Sequence, residues 1–277
     1  MNRRLIAVGV VVAVGAAAAV AAIVHHRSPH ALPPPPPPPV PFRVVFPEGF
    51  TRAQMAERVR VVSAIATRER HRAVRLTPRG YLAASSRAVV PCFGPAPLTN
   101  LEGFLFPATY DFLRQTTARQ LVHAQLAAFC RTWRRVDLRE AKARNLTAYD
   151  VLEIASMIER EAQAPAERPL VAAVIYNRLR AGMQLGIDAT LRYGLDIPPT
   201  RSILESDLQS DNPYNTRKLF GLPPTPIANP GLAAIRAAAH PSNVNYLYYA
   251  RKPDKRHHFF TASATEFNQY LTTHGYG

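Results

Sequence analysis

The chain has 277 residues, and 47 % of them are hydrophobic, which is enough to bury the core of one large domain or two small ones. Its formal net charge of +15 is of the kind found in nucleic-acid-binding proteins. No aromatic-interleaved RNA motif, zinc-ligand spacing or helix-turn-helix signature accompanies this charge, so a nucleic-acid partner is not predicted. The sequence also contains no metal cluster, phosphate loop or dinucleotide fingerprint, so neither a metal nor another cofactor is predicted.

The N-terminus predicts a membrane anchor. Leu5–Val24 is a run of 20 residues without a charge or a proline, which is long enough to cross about 30 Å of hydrocarbon. Arg3 and Arg4 precede it, so residues 1–4 are expected in the cytoplasm and the rest of the chain outside. A cleaved signal peptide is the alternative, because Ala18–Ala22 offers small-residue cleavage sites. The apolar segment of a signal peptide is usually about 7–15 residues long, so an uncleaved anchor is favoured.

A proline-rich linker, residues 25–42, is expected after the anchor. Pro33–Pro39 is an unbroken proline run, which predicts an extended polyproline II helix of about 3.1 Å per residue that acts as a stiff spacer. Residues 43–95 then predict a small accessory subdomain, with a strand at Arg43–Phe46 and a helix opened by the capping-box residue Thr51.

Cys92 and Cys130 are the only cysteines. Their spacing and neighbours do not indicate a metal site, and two cysteines are too few for a disulfide framework. Two interpretations stay open. The pair forms one disulfide if the domain is exported, or Cys130 is an ordinary core residue, since it follows Phe129 in an apolar helical pattern.

Two consecutive helices are predicted in the middle of the chain. Thr147 and Asp150 have the spacing of a capping box and open the first helix, whose apolar residues recur at helical intervals through residues 151–158. The second helix is expected to begin at Pro165 and to stop at Gly182. The two helices are expected to run antiparallel.

Carboxylates lie near the predicted junction of these helices. Glu153 and Arg160 fall on the solvated face of the first helix, whereas Glu159 and Glu161 fall on the two edges of its apolar stripe, about 80–90° either side of the centre. Either glutamate could point into a cleft, and periodicity does not choose between them. A surface Glu-Arg-Glu run that makes weak ion pairs is the plain alternative.

The rest of the chain is mostly helical with a few small strand pairings, so the predicted fold class is α+β, with a mainly helical domain over residues 96–277. The further expected elements are a helix from Thr117 to about Val136, a strand at Met183–Leu185, a short helix capped by Asp188, a helix with Asn229 as N-cap and Pro230 at its first position, a hairpin of Tyr246–Tyr249 with His257–Phe260, and a last helix capped by Ser263.

Eight short runs follow one another between about residues 44 and 270: Leu101–Tyr110, Ala155–Glu161, Val174–Leu179, Met183–Thr190, Tyr214–Thr216, Gly221–Pro224, Ile227–Gly231 and Ala237–Pro241. In content and order they resemble the successive motifs of the YceG-like family, also called MltG, the membrane-anchored endolytic murein transglycosylases. Eight motifs in order are far more specific than one short pattern.

The resemblance implies a catalytic acid. In the family it is the second glutamate of the Glu-x-Glu pair, which corresponds to Glu161, and Glu159 is the alternative. The implied reaction cleaves the MurNAc-GlcNAc β-1,4 bond of peptidoglycan glycan strands and leaves a 1,6-anhydro end, because the sugar's own C6 hydroxyl replaces water. One carboxyl then needs a raised pKa, which apolar neighbours such as Ile154 and Met157 favour.

The resemblance also implies substrate-binding residues, a location and partners. The enzyme is expected at the inner membrane with a periplasmic catalytic domain, near peptidoglycan synthases, and an additional LysM-like glycan-binding module found in many members is doubtful here. The substrate-binding residues are Glu102, Asn177, Asp188, Thr190, Tyr214, Asn215, Thr216 and His240. For Glu102 a core-lining loop is the plain alternative, and for His240 a contact with the dipole of its own helix.

Two other functions remain open from the sequence. A hydrolase would use Glu159 or Glu102 as a second carboxylate that activates water. A non-enzymatic scaffold would bind glycan or the elongation machinery through the basic surface.

Overall fold

The computed structural model describes residues 38–275, and residues 40–275 belong to one compact unit. The predicted anchor and most of the linker lie outside the described residues. None of the helices between residues 38 and 275 is both long and apolar enough to cross a membrane. The helices are α1 (Arg52–Arg70), α2 (Pro78–Ala84), α3 (Ala118–Trp133), α4 (Arg139–Ala143), α5 (Ala148–Glu161), α6 (Arg168–Arg180), α7 (Asp188–Gly194), α8 (Glu205–Leu208), α9 (Leu232–Ala239) and α10 (Ala264–Thr273).

Three two-stranded antiparallel sheets complete the described fold, so the predicted α+β class is confirmed for this part of the chain. Strand β1 (Phe42–Val45) of the predicted accessory segment pairs with β4 (Thr109–Phe112) of the following segment, with Val44 opposite Tyr110, so the two segments share a sheet. The strands are β1 (Phe42–Val45), β2 (Arg87–Val89), β3 (Pro97–Thr99), β4 (Thr109–Phe112), β5 (Tyr248–Arg251) and β6 (His258–Thr261).

Local capping determines where the long helices begin. The hydroxyls of Thr51, Thr117 and Thr147 each accept a hydrogen bond from the backbone N–H three residues later. The side chain of that later residue in turn accepts a hydrogen bond from the backbone N–H of the threonine. The boxes at Thr51 and Thr147 are the predicted ones, and the third lies at Thr117, the predicted start of α3. They satisfy N–H groups that the first helical turn leaves unpaired.

Helix α5 is the centre of the core. All eight residues from Val151 to Ile158 are buried, because α6 and α9 both pack against the helix. The predicted solvated position of Glu153 is therefore wrong, since this residue is only 4 % exposed. Burial raises the pKa of Glu153 to about 8, and the neighbouring Asp150 carboxylate adds to the rise. Glu153 thus enters the core mainly in its neutral form at neutral pH.

Three further local predictions are wrong. Met183–Leu185 is not a strand, since it has no ladder partner within residues 38–275. Asp188 does not cap α7, because it is the first helical residue and its side chain makes no capping bond. Asn229 is not the N-cap of α9, which is Gly231. The Asn229 side chain instead bonds the Leu105 N–H and the Phe50 carbonyl.

Cys92 and Cys130 form a disulfide, with their Cα atoms 5.5 Å apart. The bond ties the segment after β2 to helix α3. Aromatic rings surround it: Phe93 packs edge-on against Phe104 at 4.9 Å and also lies 4.9 Å from the Trp133 ring. The cross-link therefore closes one side of the aromatic core beneath the loop that carries Glu102.

We expect reduction of this disulfide to lower the stability by about 2–4 kcal/mol, since it closes a loop of intermediate length. A reducing agent should lower the thermal unfolding temperature of the wild-type domain. The Cys92→Ala/Cys130→Ala variant should unfold at a lower temperature whether or not the reducing agent is present. If the reducing agent left the unfolding temperature of the wild-type domain unchanged, this result would contradict the disulfide.

Candidate active site

Glu159 is held by donors of the protein itself. Its side chain is 6 % exposed, and its carboxylate accepts a hydrogen bond from the Gly231 N–H at 2.9 Å and lies 3.5 Å from the Arg168 guanidinium. Gly231 is the N-cap of α9, so the carboxylate lies at the positive end of that helix. Burial raises the pKa of Glu159, and the nearby Glu48 carboxylate raises it further, while the two bonds oppose the rise. Glu159 therefore fastens α5 to α9 and α6.

Glu161 ends α5 and is partly exposed. Its Oε2 accepts a hydrogen bond from the Tyr249 hydroxyl at 3.3 Å, and no other donor to this side chain occurs within residues 38–275. Burial raises the pKa of Glu161, and the Asp188 carboxylate raises it too. The electrostatic effects of Arg251 and His258, together with the Tyr249 hydrogen bond, lower it. A carboxyl that stays protonated to a higher pH than an ordinary glutamate, and that has an oxygen free of protein donors, can act as a general acid.

The hairpin of β5 and β6 provides the surroundings of Glu161. Arg251 pairs with His258 in the ladder and Tyr249 pairs with Phe260, so these four side chains share one face of the hairpin. Sequence reasoning predicted the hairpin but assigned none of these residues to the site. The two-residue alternation would have grouped them on one face. Only the tertiary packing shows that this face meets Glu161.

Glu102 is buried among donors from three parts of the chain. It is 3 % exposed and accepts hydrogen bonds from the Arg52 N–H at 2.9 and 3.1 Å, the Asn229 amide at 2.8 Å and the Tyr193 hydroxyl at 3.2 Å. Burial raises its pKa to about 7. Arg52 is the first residue of α1, so the carboxylate caps this helix. Its assignment to substrate binding stays a prediction.

Four of the predicted substrate residues are buried and bonded to the protein. Asn177 and Asn215 each donate two hydrogen bonds to backbone carbonyls at 2.8–2.9 Å. The hydroxyls of Thr190 and Thr216 lie 2.9 Å from each other. Asn177 also lines a cavity of about 1010 Å³, and Glu161 is not among its lining residues. These four side chains fix the loops of the domain, and a contact with substrate stays a prediction for each.

The other three predicted substrate residues are at least partly accessible. Asp188 is half exposed, and its charge acts on Glu161, so the structure brings these two carboxyls together. The Tyr214 hydroxyl lies 2.8 Å from that of Thr225. His240 is exposed and caps the C-terminus of α9. Within residues 38–275, no group of three or more histidine, cysteine, aspartate and glutamate side chains is arranged to hold a metal ion.

We expect opposite effects on stability from the two glutamates of the pair. Glu159→Ala leaves the Gly231 N–H and the Arg168 guanidinium without their carboxylate, and Arg168 already has an unpaired buried Nε. This variant should lose about 1–3 kcal/mol. Glu161→Gln should unfold at the wild-type temperature or above it, because the amide avoids the cost of burying a charge. Thermal unfolding at neutral pH measures both, and equal losses would contradict the assigned roles.

The chain is similar in sequence to known proteins. The sequence model of the YceG-like family matches residues 16–273. An endolytic murein transglycosylase of Bacillus subtilis (strain 168) is 37 % identical over 169 residues, which cover 61 % of this chain and 46 % of that protein. The protein of the same name from Streptococcus pneumoniae (strain ATCC BAA-255 / R6) is 35 % identical over 154 residues, covering 54 % of this chain and 28 % of that protein. The matched part is thus less than half the length of either relative.

A solved structure shares the fold. The 2.6 Å crystal structure of a protein described as yceG-like, from Listeria monocytogenes, has a TM-score of 0.68 at 28 % identity and covers 84 % of this chain and 76 % of that one. Since the family match extends over nearly the whole sequence, this chain belongs to the YceG-like family.

Proposed function

We propose that this protein is an endolytic lytic transglycosylase that cuts the MurNAc-GlcNAc β-1,4 bond within peptidoglycan strands. The observation that carries the proposal is the Glu161 carboxyl, partly withdrawn from water at the end of α5, with a raised pKa and one oxygen free of protein donors. The name that the curated relatives bear, endolytic murein transglycosylase, supports the same reaction.

The reaction needs a proton donor that later accepts a proton. Glu161 first gives its proton to the glycosidic oxygen while the bond from C1 of MurNAc to that oxygen breaks. The C6 hydroxyl of the same sugar then attacks C1, and its proton passes to the Glu161 carboxylate. The products are a 1,6-anhydro end and a free GlcNAc hydroxyl, and Glu161 is again protonated. No water is consumed.

Glu159 and Glu102, the two acids that the sequence offers as a second carboxylate for hydrolysis, are already bonded to the protein. Hydrolysis requires a second carboxylate that activates water or attacks the sugar. Glu159 is occupied by Gly231 and Arg168, and Glu102 is occupied by three donors in the core. The two carboxylates that a hydrolase would recruit are thus already used to fasten helices.

The proposal includes membrane attachment through Leu5–Val24, with the domain held off an inner membrane by the proline run. The Cys92–Cys130 disulfide supports a location outside the cytoplasm, because disulfides persist in oxidising compartments. The net charge of +15 suits an anionic lipid surface and an acidic polymer. In this location the enzyme would cut nascent strands and terminate their elongation next to peptidoglycan synthases.

We expect Glu161→Gln to lower the release of anhydro-muropeptides from purified sacculi by at least about 10²-fold, since general acid catalysis is lost. Mass spectrometry identifies the products, because hydrolysis would leave ends about 18 mass units heavier than the anhydro form.

Glu159→Gln is the matched control for this experiment. It makes the same change two residues away, and its amide oxygen can still accept the Gly231 hydrogen bond. It should therefore retain most of the activity. Loss in Glu159→Gln with retention in Glu161→Gln would move the acid role to Glu159, and unchanged release in both would overturn the proposed function.

A further inference from the structure

The hairpin of β5 and β6 has two different faces. Tyr248 and Phe259 point to one face, where they stack on Phe267 and Tyr270 of α10 at 5.1 and 4.4 Å. Alternate residues point to the other face, which meets the end of α5. On that second face the Tyr249 hydroxyl donates to Glu161 Oε2 at 3.3 Å. Because α10 packs on the first face, the second face, which carries Tyr249, lies against the proposed acid Glu161.

A buried histidine, His258, packs against Tyr249. The His258 ring lies edge-on against the Tyr249 ring, with centroids 5.4 Å apart and an angle of 88° between the planes. His258 is 4 % exposed and makes two contacts with the Glu167 carboxylate. The carboxylate accepts a hydrogen bond from the backbone N–H of His258 at 3.0 Å and lies 2.7 Å from the ring Nδ1. Glu167 belongs to the 3-10 turn Pro165–Glu167 between α5 and α6. The turn that follows Glu161 therefore fixes the histidine that supports Tyr249.

Resting on the proposed function, we infer that Tyr249 is a positioning residue for Glu161 and that His258 and Glu167 hold Tyr249 in place. The Tyr249 hydroxyl donates its hydrogen bond to Oε2 of Glu161. The acidic proton of Glu161 is therefore carried by Oε1, which is free to face the glycosidic oxygen. After the proton leaves, the same hydrogen bond stabilises the carboxylate until the C6 hydroxyl returns a proton. The phenol remains a neutral donor throughout, because burial keeps its pKa well above the ordinary value.

The hydrogen bond also determines where Glu161 titrates. A donor to the charged carboxylate lowers its pKa, so removal of the hydroxyl must raise it further. Glu161 would then keep its proton to a higher pH, and the alkaline limb of the activity profile would move upward. The other charged or titratable groups that act on Glu161 or Tyr249 stay the same in such a variant, and they are Asp188, Arg251, His258 and Arg178.

Tyr249→Phe is the test, with anhydro-muropeptide release from sacculi measured from acid to alkaline pH. We expect the rate at saturating substrate to fall about tenfold, as for loss of one hydrogen bond to a charged group, with little change in KM. The alkaline limb should shift to higher pH. Glu167→Gln should lower the same rate by a smaller factor, because it weakens the support of His258.

Tyr248→Phe is the matched control, since it removes a hydroxyl from the neighbouring tyrosine on the opposite face of the hairpin. It should keep the wild-type rate and pH profile. If Tyr249→Phe lowers the unfolding temperature and the rate without moving the alkaline limb, its role is structural and the inference fails. Wild-type rate and profile in Tyr249→Phe, with Glu161→Gln inactive, would overturn the inference alone. Activity in both would overturn the proposed function as well.

Discussion

The fixed orientation of the buried helix α5 about its own axis places Glu159 and Glu161 on different sides of the helix, and the proposed chemistry depends on this separation. Residues two positions apart in an α-helix are rotated by about 200° about its axis, so their side chains point about 160° apart. Because Val151–Ile158 is buried on all sides, α5 cannot turn about its axis to exchange them. Glu159 is thus directed to the N-terminus of α9, and Glu161 to the hairpin. Glu159, on one side of the helix end, binds other helices of the domain, whereas Glu161, on the other side, is available for chemistry.

The two carboxyls differ in charge balance more than in burial. Glu159 has a helix N-terminus and an arginine within bonding distance, so its ionised form has partners. A Cβ at Gly231 would overlap the carboxylate of Glu48, so a larger residue there would displace this exposed side chain. Glu161 has one phenol, and the nearby Asp188 is itself paired with Arg217 at 2.6 Å. Burial raises the pKa of both carboxyls, but within residues 38–275 only Glu159 has a charged hydrogen-bond donor, so the neutral form of Glu161 suits a group that must begin the reaction protonated.

Local signals explain what the sequence could predict. The capping boxes at Thr51, Thr117 and Thr147 involve residues three positions apart, so their pattern is sufficient to place α1, α3 and α5. Asn229 has an equally good capping pattern, yet its amide bonds Phe50 and Glu102, which are more than 100 residues away. Helical periodicity likewise placed both glutamates at the stripe edges. Their roles depend on α9 and the hairpin, which no local window contains.

The buried polar residues of the motifs explain why the candidate site can be open and yet rigid. Asn177 bonds the carbonyls of Val244 and Tyr246, just before the hairpin begins, and Arg178 bonds that of Leu247. These contacts fix the start of β5 relative to α6. Since the hairpin has only two strands, it would be marginally stable alone. Its attachment to α6 on one side and to α10 on the other is what allows Tyr249 to keep a defined place against Glu161.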